Sequence, residues 1–335
     1  MKFCIFGAGA LGGHIAAQLI AANNAEVSVV GRGAQLAAIK ERGITLRIGG
    51  RELGGKPAVA TDNPASLPPQ DIVFVALKAH TLPAAAEAIG KVIKPDGCAV
   101  LLVNGIPWWF NHGAGADKGG TSGKGAKGTL ALLDPGAGLW NHVRPERVIG
   151  SVAYSPNELV APGIIQHSNQ NRWVFGEPDG SSSARLTQVA ELVRATGIET
   201  TTMADIRGEI FRKLANNASN NTLCSLTRLD SAAVAGDDGL VRLSMGIIGE
   251  TLAVAAKLGW DMTKEINVEQ VAKRSRGKPG VRPSTFQDVL AGKSLEVDAL
   301  LGQTQAFARD LGVATPTIDV CLPLLRGLDL SLRAK

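Results

Sequence analysis

Lys2-Phe3-Cys4-Ile5-Phe6-Gly7-Ala8-Gly9-Ala10-Leu11-Gly12-Gly13-His14-Ile15-Ala16 is the stretch that decides the fold. Residues 2–6 are a short apolar run of β type, and residues 10–22 carry an alanine-rich helical pattern, so Gly7-Ala8-Gly9 turns a strand into a helix. In that setting each glycine of Gly7-x-Gly9-x-x-Gly12 has a physical reason. Gly7 permits the tight turn, Gly9 lets backbone amides approach a pyrophosphate, and Gly12 allows the helix to lie close on the sheet with its N-terminus toward negative charge. The reading is a dinucleotide-binding βαβ unit, with Gly7, Ala8, Gly9, Ala10, Leu11 and Gly12 at the cofactor. The alternative is a glycine-rich connection in some other βαβ unit.

Working outward, residues 26–30 read as a second strand and residues 35–41 as a short helix ended by Gly43. Residues 71–77 (DIVFVAL) and 98–103 (CAVLLV) are continuous apolar runs on either side of a helical stretch at 82–93, the pattern of strands buried on both faces of a parallel sheet. Short β runs return over 148–175, a helix follows at 184–195, and a last β run at 198–203 closes this half. From Asp205 the pattern is helical almost to the end. The expected organisation is α/β, a Rossmann-type dinucleotide-binding domain over residues 1–203 followed by an all-helical domain over 204–335, with an insertion at about 106–140. Residues 113–128 (GAGADKGGTSGKGAKG) have almost nothing to bury and read as a mobile loop.

The 335 residues give ample core, and 40 glycines mark a globular, turn-rich chain. The net charge of +5 is dispersed and aromatics are only 4%, which argues against a nucleic-acid partner and suits anionic small molecules. Cys4, Cys98, Cys224 and Cys321 form no CxxC pair and read as buried thiols of a reducing compartment. None of the five histidines has a ligand spacing, so no metal is expected. With no signal-peptide pattern after Met1 and no apolar run of membrane-span length, a cytoplasmic protein without membrane contact is expected.

Three further places carry chemistry. The second strand runs into Gly31-Arg32-Gly33 where a site selective for the unphosphorylated dinucleotide has an acid, and a guanidinium there suits the 2′-phosphate of NADP. Lys78 and Asn104 follow apolar runs, at the carboxyl ends of strands where ligands bind in open α/β sheets. Lys213, Asn217 and Asn221 are spaced i, i+4, i+8 and share one helix face, while Ile206, Ile210 and Leu214 anchor a neighbouring one. Asn is a poor mid-helix residue, so this amide strip reads as ligand-facing rather than as a solvated face. Ser284 with Gln287 fits a capping box, and Glu296 would sit in the first turn of a helix after Ser294.

These residues together resemble the ketopantoate reductase (2-dehydropantoate 2-reductase) family. The resemblance rests on the N-terminal GxGxxG, Leu77-Lys78-Ala79, Asn104-Gly105, Lys213-Leu214-Ala215-x-Asn217-x-x-x-Asn221, and Ser284 followed twelve residues later by Glu296. It implies a helical C-terminal domain similar to that of 6-phosphogluconate dehydrogenase and an NADPH-dependent reduction of 2-dehydropantoate to pantoate. It also implies roles: Lys213 as proton donor, Glu296 as an acid near nicotinamide ribose and substrate, and Asn104 touching cofactor and substrate. Asn217, Asn221 and Ser284 would contact the 2-oxo acid, and Arg32 and Lys78 the adenosine phosphate.

Two features depart from the family pattern. Ser231 stands where some members have an asparagine. Trp108-Trp109-Phe110 follows the Asn-Gly turn and is too apolar for a solvated loop, so it is expected to cover the substrate or a neighbouring crevice, with core or interface packing as the alternative. The rival functions are reduction of another branched or aromatic 2-oxo acid, or a non-catalytic NADPH-binding sensor. A helical second domain is compatible with a homodimer.

Overall fold

The structure, a computed structural model, describes residues 1–22, 26–114, 128–277 and 279–334. The chain divides into two compact units, Met1–Val103 with Gly136–Ile206, and Asn104–Pro135 with Arg207–Lys335.

Among the described residues the first unit holds twelve strands: β1 Lys2–Phe6, β2 Glu26–Val30, β3 Ile44–Ile48, β4 Arg51–Gly55, β5 Val59–Thr61, β6 Gln70–Val75, β7 Ile93–Leu101, β8 Val148–Tyr154, β9 Asn157–Ala161, β10 Ile164–His167, β11 Arg172–Gly176 and β12 Glu199–Thr202. Its helices are α1 Ala10–Ala21, α2 Gly33–Arg42, α3 Leu82–Val92, α4 Gly138–His142 and α5 Ala184–Ala195. Eight strands form one sheet in the order β12-β11-β8-β7-β6-β1-β2-β5, parallel throughout except where β11 runs against β8. Read from β5 to β8, this is the doubly wound nucleotide-binding order. The register opposes Phe6 to Val30 on one side and to Val75 on the other, so three strands end together beneath the Gly7 turn. Phe3, Ile5, Val29, Phe74, Val100 and Trp173 fill the core on the sheet faces.

A second sheet, in the order β4-β3-β10-β9, has no counterpart in the sequence reading. It packs on α1, and a Cβ on Gly13 would lie 2.6 Å from Ile165 Cδ1, so the glycine after Gly12 lets the helix approach it. The join is polar as well. His14 Nδ1 and His167 Nδ1 lie 2.8 and 3.0 Å from Asn157 Oδ1, each donating to it. Burial, helped by the neighbouring His167, lowers the His14 pKa to about 4, so the imidazole is neutral in the folded protein.

The second unit is helical: α6 Ile206–Thr227 (its first residue in the first unit), α7 Ser231–Gly236, α8 Asp238–Lys257, α9 Val268–Ala272, α10 Ser284–Leu290, a wide π-turn over Asp298–Gly302, α11 Gln303–Leu311 and α12 Pro316–Arg333. Capping defines several starts. Asp230 and Asp237 accept the Ala233 and Leu240 amides at 2.8 Å, and both oxygens of Glu250 accept the Thr317 and Ile318 amides that open α12. Among the described residues α8 alone is long and apolar enough to cross a membrane; here it packs against α7, α9, α11 and α12.

The segment read as an insertion of the N-terminal domain belongs instead, over residues 104–135, to the helical unit. Its aromatic run is the reason. Trp108, Trp109 and Phe110 are buried, and the Phe110 ring lies 5.5–5.7 Å from those of Phe307, Trp260 and Phe211. Arg207 fastens the run to α6, donating to Phe110 O at 2.6 Å and to His112 O, with its guanidinium 5.5 Å from the Trp109 and Phe110 ring centres. These aromatics are core, which overturns the expectation that they cover a substrate. Of the expected mobile loop, residues 115–127 lie outside the described residues. All four cysteines are buried and unpaired.

Candidate active site

In the first unit the chain leaves β1 at Gly7, whose φ of +106° is glycine territory, and its amide donates to Val30 O at 3.0 Å. A Cβ on Gly12 would stand 1.9 Å from Gly7 O, so turn and helix can close only with glycine there. Gly9 differs: no atom lies within 4 Å of where its Cβ would be, and that space is open to a ligand. Gly9 also occupies the N-cap of α1, with no side-chain cap and no acid in the first turn. The amides there are thus left to an external anion, and the residues present fit a dinucleotide pyrophosphate.

Arg32 is exposed at the N-cap of α2, directly after β2, and Lys78 follows β6, its carbonyl accepting the Thr81 amide at 2.9 Å. One contributor had no sequence signal. Gln35 donates to Ala8 O at 2.7 Å and accepts the Gly163 amide at 2.8 Å, tying the glycine turn to the β9–β10 connection.

In the second unit the site is assembled from segments far apart in the chain. Lys213, on α6, donates from Nζ to Asn104 Oδ1 at 2.8 Å. Burial lowers its pKa from the usual 10.5 to about 8, with the nearby Glu296 carboxylate acting in the opposite direction. Glu296 is 3% exposed. It lies just before the helical turns rather than within the first turn of a helix starting at Ser294: its carbonyl accepts the Leu300 amide at 3.1 Å. The preceding Leu295 amide donates to Asp329 Oδ1 on α12 at 2.7 Å, anchoring the approach to Glu296.

Asn217 follows Lys213 by one turn and is partly exposed, whereas Asn221, one turn further, is 3% exposed. Asn221 Nδ2 donates to Asn217 O at 3.0 Å. Its Oδ1 accepts the Thr285 amide at 3.0 Å and the Ser284 hydroxyl at 3.5 Å. The capping box expected at Ser284 is therefore absent. Pro283 is the N-cap, Gln287 Nε2 reaches Arg282 O, and α10 takes its cap from Asn221 of another helix. Ser284 is left exposed beside Asn221. Ser231 is buried and accepts from Asn220 Nδ2 at 3.0 Å. The unit thus gathers Lys213, Asn104 and Glu296 around one ammonium, and Asn221 and Ser284 at the start of α10. It can deliver a proton and hold an anionic, hydrogen-bonding ligand.

Residues 3–108 match the family described as ketopantoate reductase PanE/ApbA, and residues 205–329 match its C-terminal region. A protein of Mesorhizobium japonicum named 2-dehydropantoate 2-reductase is 38% identical over 328 residues, 98% of each chain. A solved chain from Ralstonia solanacearum MolK2 superimposes with a TM-score of 0.88 at 31% identity, over 99% of this chain and 98% of that one. A D-mandelate dehydrogenase solved with NADH and anilino(oxo)acetate shares the fold, with a TM-score of 0.80 at 21% identity over 99% of this chain and 100% of that one.

Proposed function

The chain belongs to the ketopantoate reductase family, and on that premise we propose that it reduces 2-dehydropantoate to pantoate, a step toward coenzyme A, using NADPH. The observation that carries the reading is the Lys213 ammonium, 2.8 Å from Asn104 Oδ1 with its pKa lowered to about 8.

NADPH, when bound, supplies the hydride to C2 of the 2-oxo acid. Lys213 would both stabilise negative charge developing on the ketone oxygen and give up its proton to that oxygen. A donor with a pKa near the working pH transfers a proton more readily than an ordinary lysine. Asn104 Oδ1 fixes the direction of the ammonium. Glu296 holds the ammonium charged between turnovers and accepts a hydrogen bond from a substrate or ribose hydroxyl. Asn217 and Ser284 orient the oxo acid, and Asn221 sets the position of Ser284. In the first unit the amides about Gly9 hold the pyrophosphate, and Arg32 and Lys78 hold the 2′-phosphate.

The family's dinucleotide domain corresponds on this reading to the first unit and its substrate domain to the second. The exposed Val320, Leu324 and Leu330 of α12 support a homodimer, and the reading includes a cytoplasmic location. Because Trp108, Trp109 and Phe110 are core, they give no support to an aromatic substrate. The test is the loss of NADPH absorbance with 2-dehydropantoate and with a panel of branched and aromatic 2-oxo acids. The highest kcat/KM is expected for 2-dehydropantoate. Preference for another oxo acid by about tenfold or more, some 1.4 kcal/mol, would replace the substrate. No turnover with any of them would return the chain to the class of NADPH-binding proteins.

A further inference from the structure

The surroundings of the Asn104-Gly105 turn are specific. Gly105 has φ +82°, and a Cβ on it would stand 2.2 Å from Ala299 O, 2.5 Å from Ala299 C and 3.0 Å from Ala299 Cβ. The next amide, of Ile106, donates to Ala299 O at 2.8 Å. Ala299 lies in the π-turn Asp298–Gly302, where the Gln303 amide reaches back to Asp298 O. In a regular α-helix that amide would go to Ala299. The wide turn therefore diverts one donor from Ala299, and its carbonyl takes the Ile106 amide from outside the helix. Single π-turns of this kind concentrate at functional sites.

We propose that Gly105 and the Ala299 carbonyl form a positioning clamp, which sets Asn104 and Glu296 in register on the Lys213 ammonium. The clamp has a definite mechanical meaning. Glu296 opens the helical stretch that contains Ala299. Asn104 precedes the glycine seated on Ala299 and accepts from Lys213 at 2.8 Å. Arg207, at the start of α6, holds the far end of the same segment through Phe110 O and His112 O. Residues 104–112 are thus pinned at one end to the turn that follows Glu296 and at the other to the helix that carries Lys213. Neither Gly105 nor Ala299 touches the reacting atoms; both act through Asn104 and Glu296.

The inference rests on Lys213 being the proton donor, and the experiment separates the two. Gly105→Ala is compared with Gly292→Ala, which meets the same left-handed strain at φ +64° in the same unit but has nothing within 4 Å of its Cβ position. Gly105→Ala is expected to lower kcat about ten- to a hundred-fold, since a shift of about 1 Å in a positioning group has effects of that size. Gly292→Ala is expected to stay within about twofold of the parent, because at its site a Cβ displaces nothing. As the Asn104 oxygen moves off the ammonium, the alkaline limb of kcat against pH should move about half a unit or more toward acid. A merely structural loss would lower the amount of active enzyme and leave that limb in place.

Ala299→Val crowds the same contact from the other side and is expected to reproduce both effects. It serves as the variant if Gly105→Ala does not fold. Unchanged kcat and pH profile in a folded Gly105→Ala, with Lys213→Ala inactive, would overturn the clamp while sparing the proton donor. An active Lys213→Ala would overturn the reading beneath it. Should neither clamp variant fold, amide exchange of the parent protein decides: an Ile106 amide protected like those of α11 supports the clamp, and one exchanging like an open loop overturns it.

Discussion

The glycine turn of the first unit and the lysine site of the second are built in opposite ways. The turn is made of backbone and lies within six consecutive residues, Gly7 to Gly12, its shape enforced by what glycine omits: a Cβ at Gly12 would collide with Gly7 O at 1.9 Å. The lysine site is made of side chains drawn from positions 104, 213, 221, 284 and 296, each on a different segment except for Lys213 and Asn221 on α6. A contiguous backbone site is rigid because its own chain leaves it no alternative. A site of distant side chains is only as ordered as the links between its segments, here Asn104 on Lys213, Ile106 on Ala299, Leu295 on Asp329 and Thr285 on Asn221. Damage to the first should appear in cofactor binding, and damage to the second in turnover, pH dependence and local stability.

The largest effect that would divide the two regions is expected from Lys213→Met. Loss of a general acid typically lowers kcat about 10²–10⁴-fold, while NADPH binding, followed by fluorescence, should change little because the glycine turn is untouched. In the parent enzyme kcat should fall as pH rises through about 8, since the donor is then deprotonated. The stability consequence has a definite sign. The folded pKa is about 8 against the usual 10.5, so the folded state binds fewer protons than the unfolded one between those values, and stability rises across that window. Below pH 8 the buried charge costs up to about 3.5 kcal/mol, taken from about 1.4 kcal/mol per pH unit; Lys213→Met removes that cost but leaves the buried Glu296 carboxylate without its cation, so the readable change is that the rise in stability between about pH 8 and 10.5 disappears in the variant. A Met variant that keeps turnover, or that keeps that rise in stability, would contradict the site as drawn.

A smaller effect on the other side of the comparison is expected from Arg32→Ala combined with Lys78→Ala. The double variant should weaken NADPH about ten- to a hundred-fold, the size of one charge-assisted hydrogen bond of about 1.5–3 kcal/mol, with NADH weakened far less. Titration of both cofactors measures the ratio. Equal weakening of the two would show that these cations do not face the 2′-phosphate.

The contrast also explains what could be read from the sequence. The strand at 26–30 and the helix at 184–195 follow from local apolar pattern, and their observed limits are the same. The glycine spacing located the turn because every residue of that site is a neighbour in the chain. The i, i+4, i+8 face of α6 placed Lys213, Asn217 and Asn221 on one side, with Ile206, Ile210 and Leu214 buried as expected. What stayed hidden depends on distant pairing. The second sheet joins β3 to β10, setting Thr45 opposite Ile164, a contact that local periodicity cannot encode. The aromatic run announced burial but not its partners, so Trp108, Trp109 and Phe110 read as a cover when all three are core, Phe110 against the rings of Phe211, Trp260 and Phe307. The π-turn at Asp298–Gly302 leaves no sequence mark, and the Ile106 amide that meets its Ala299 carbonyl comes from nearly two hundred residues away in the chain.

The smallest effect concerns Asn221, where the line between contacting a ligand and holding a segment can be drawn directly. The resemblance assigns it to the substrate, yet its Oδ1 accepts the Thr285 amide at 3.0 Å and its Nδ2 donates to Asn217 O at 3.0 Å. Asn221→Ala removes the cap of α10 and leaves a buried amide without its acceptor, a change of about 0.5–2 kcal/mol for a lost N-cap. The expected outcome is a lower melting temperature, faster amide exchange confined to the start of α10, and a severalfold rise in KM for the oxo acid as Ser284 loses its place. Asn221→Asp keeps the acceptor and so retains much of the protection of the Thr285 amide. Its second carboxylate oxygen would replace the Nδ2 donor against Asn217 O, however, and that repulsion should still raise KM. If Asn221→Ala raises KM while melting temperature and α10 exchange stay at parental values, Asn221 acts on the ligand alone. The lysine site would then depend less on links between segments than the contrast with the glycine turn implies.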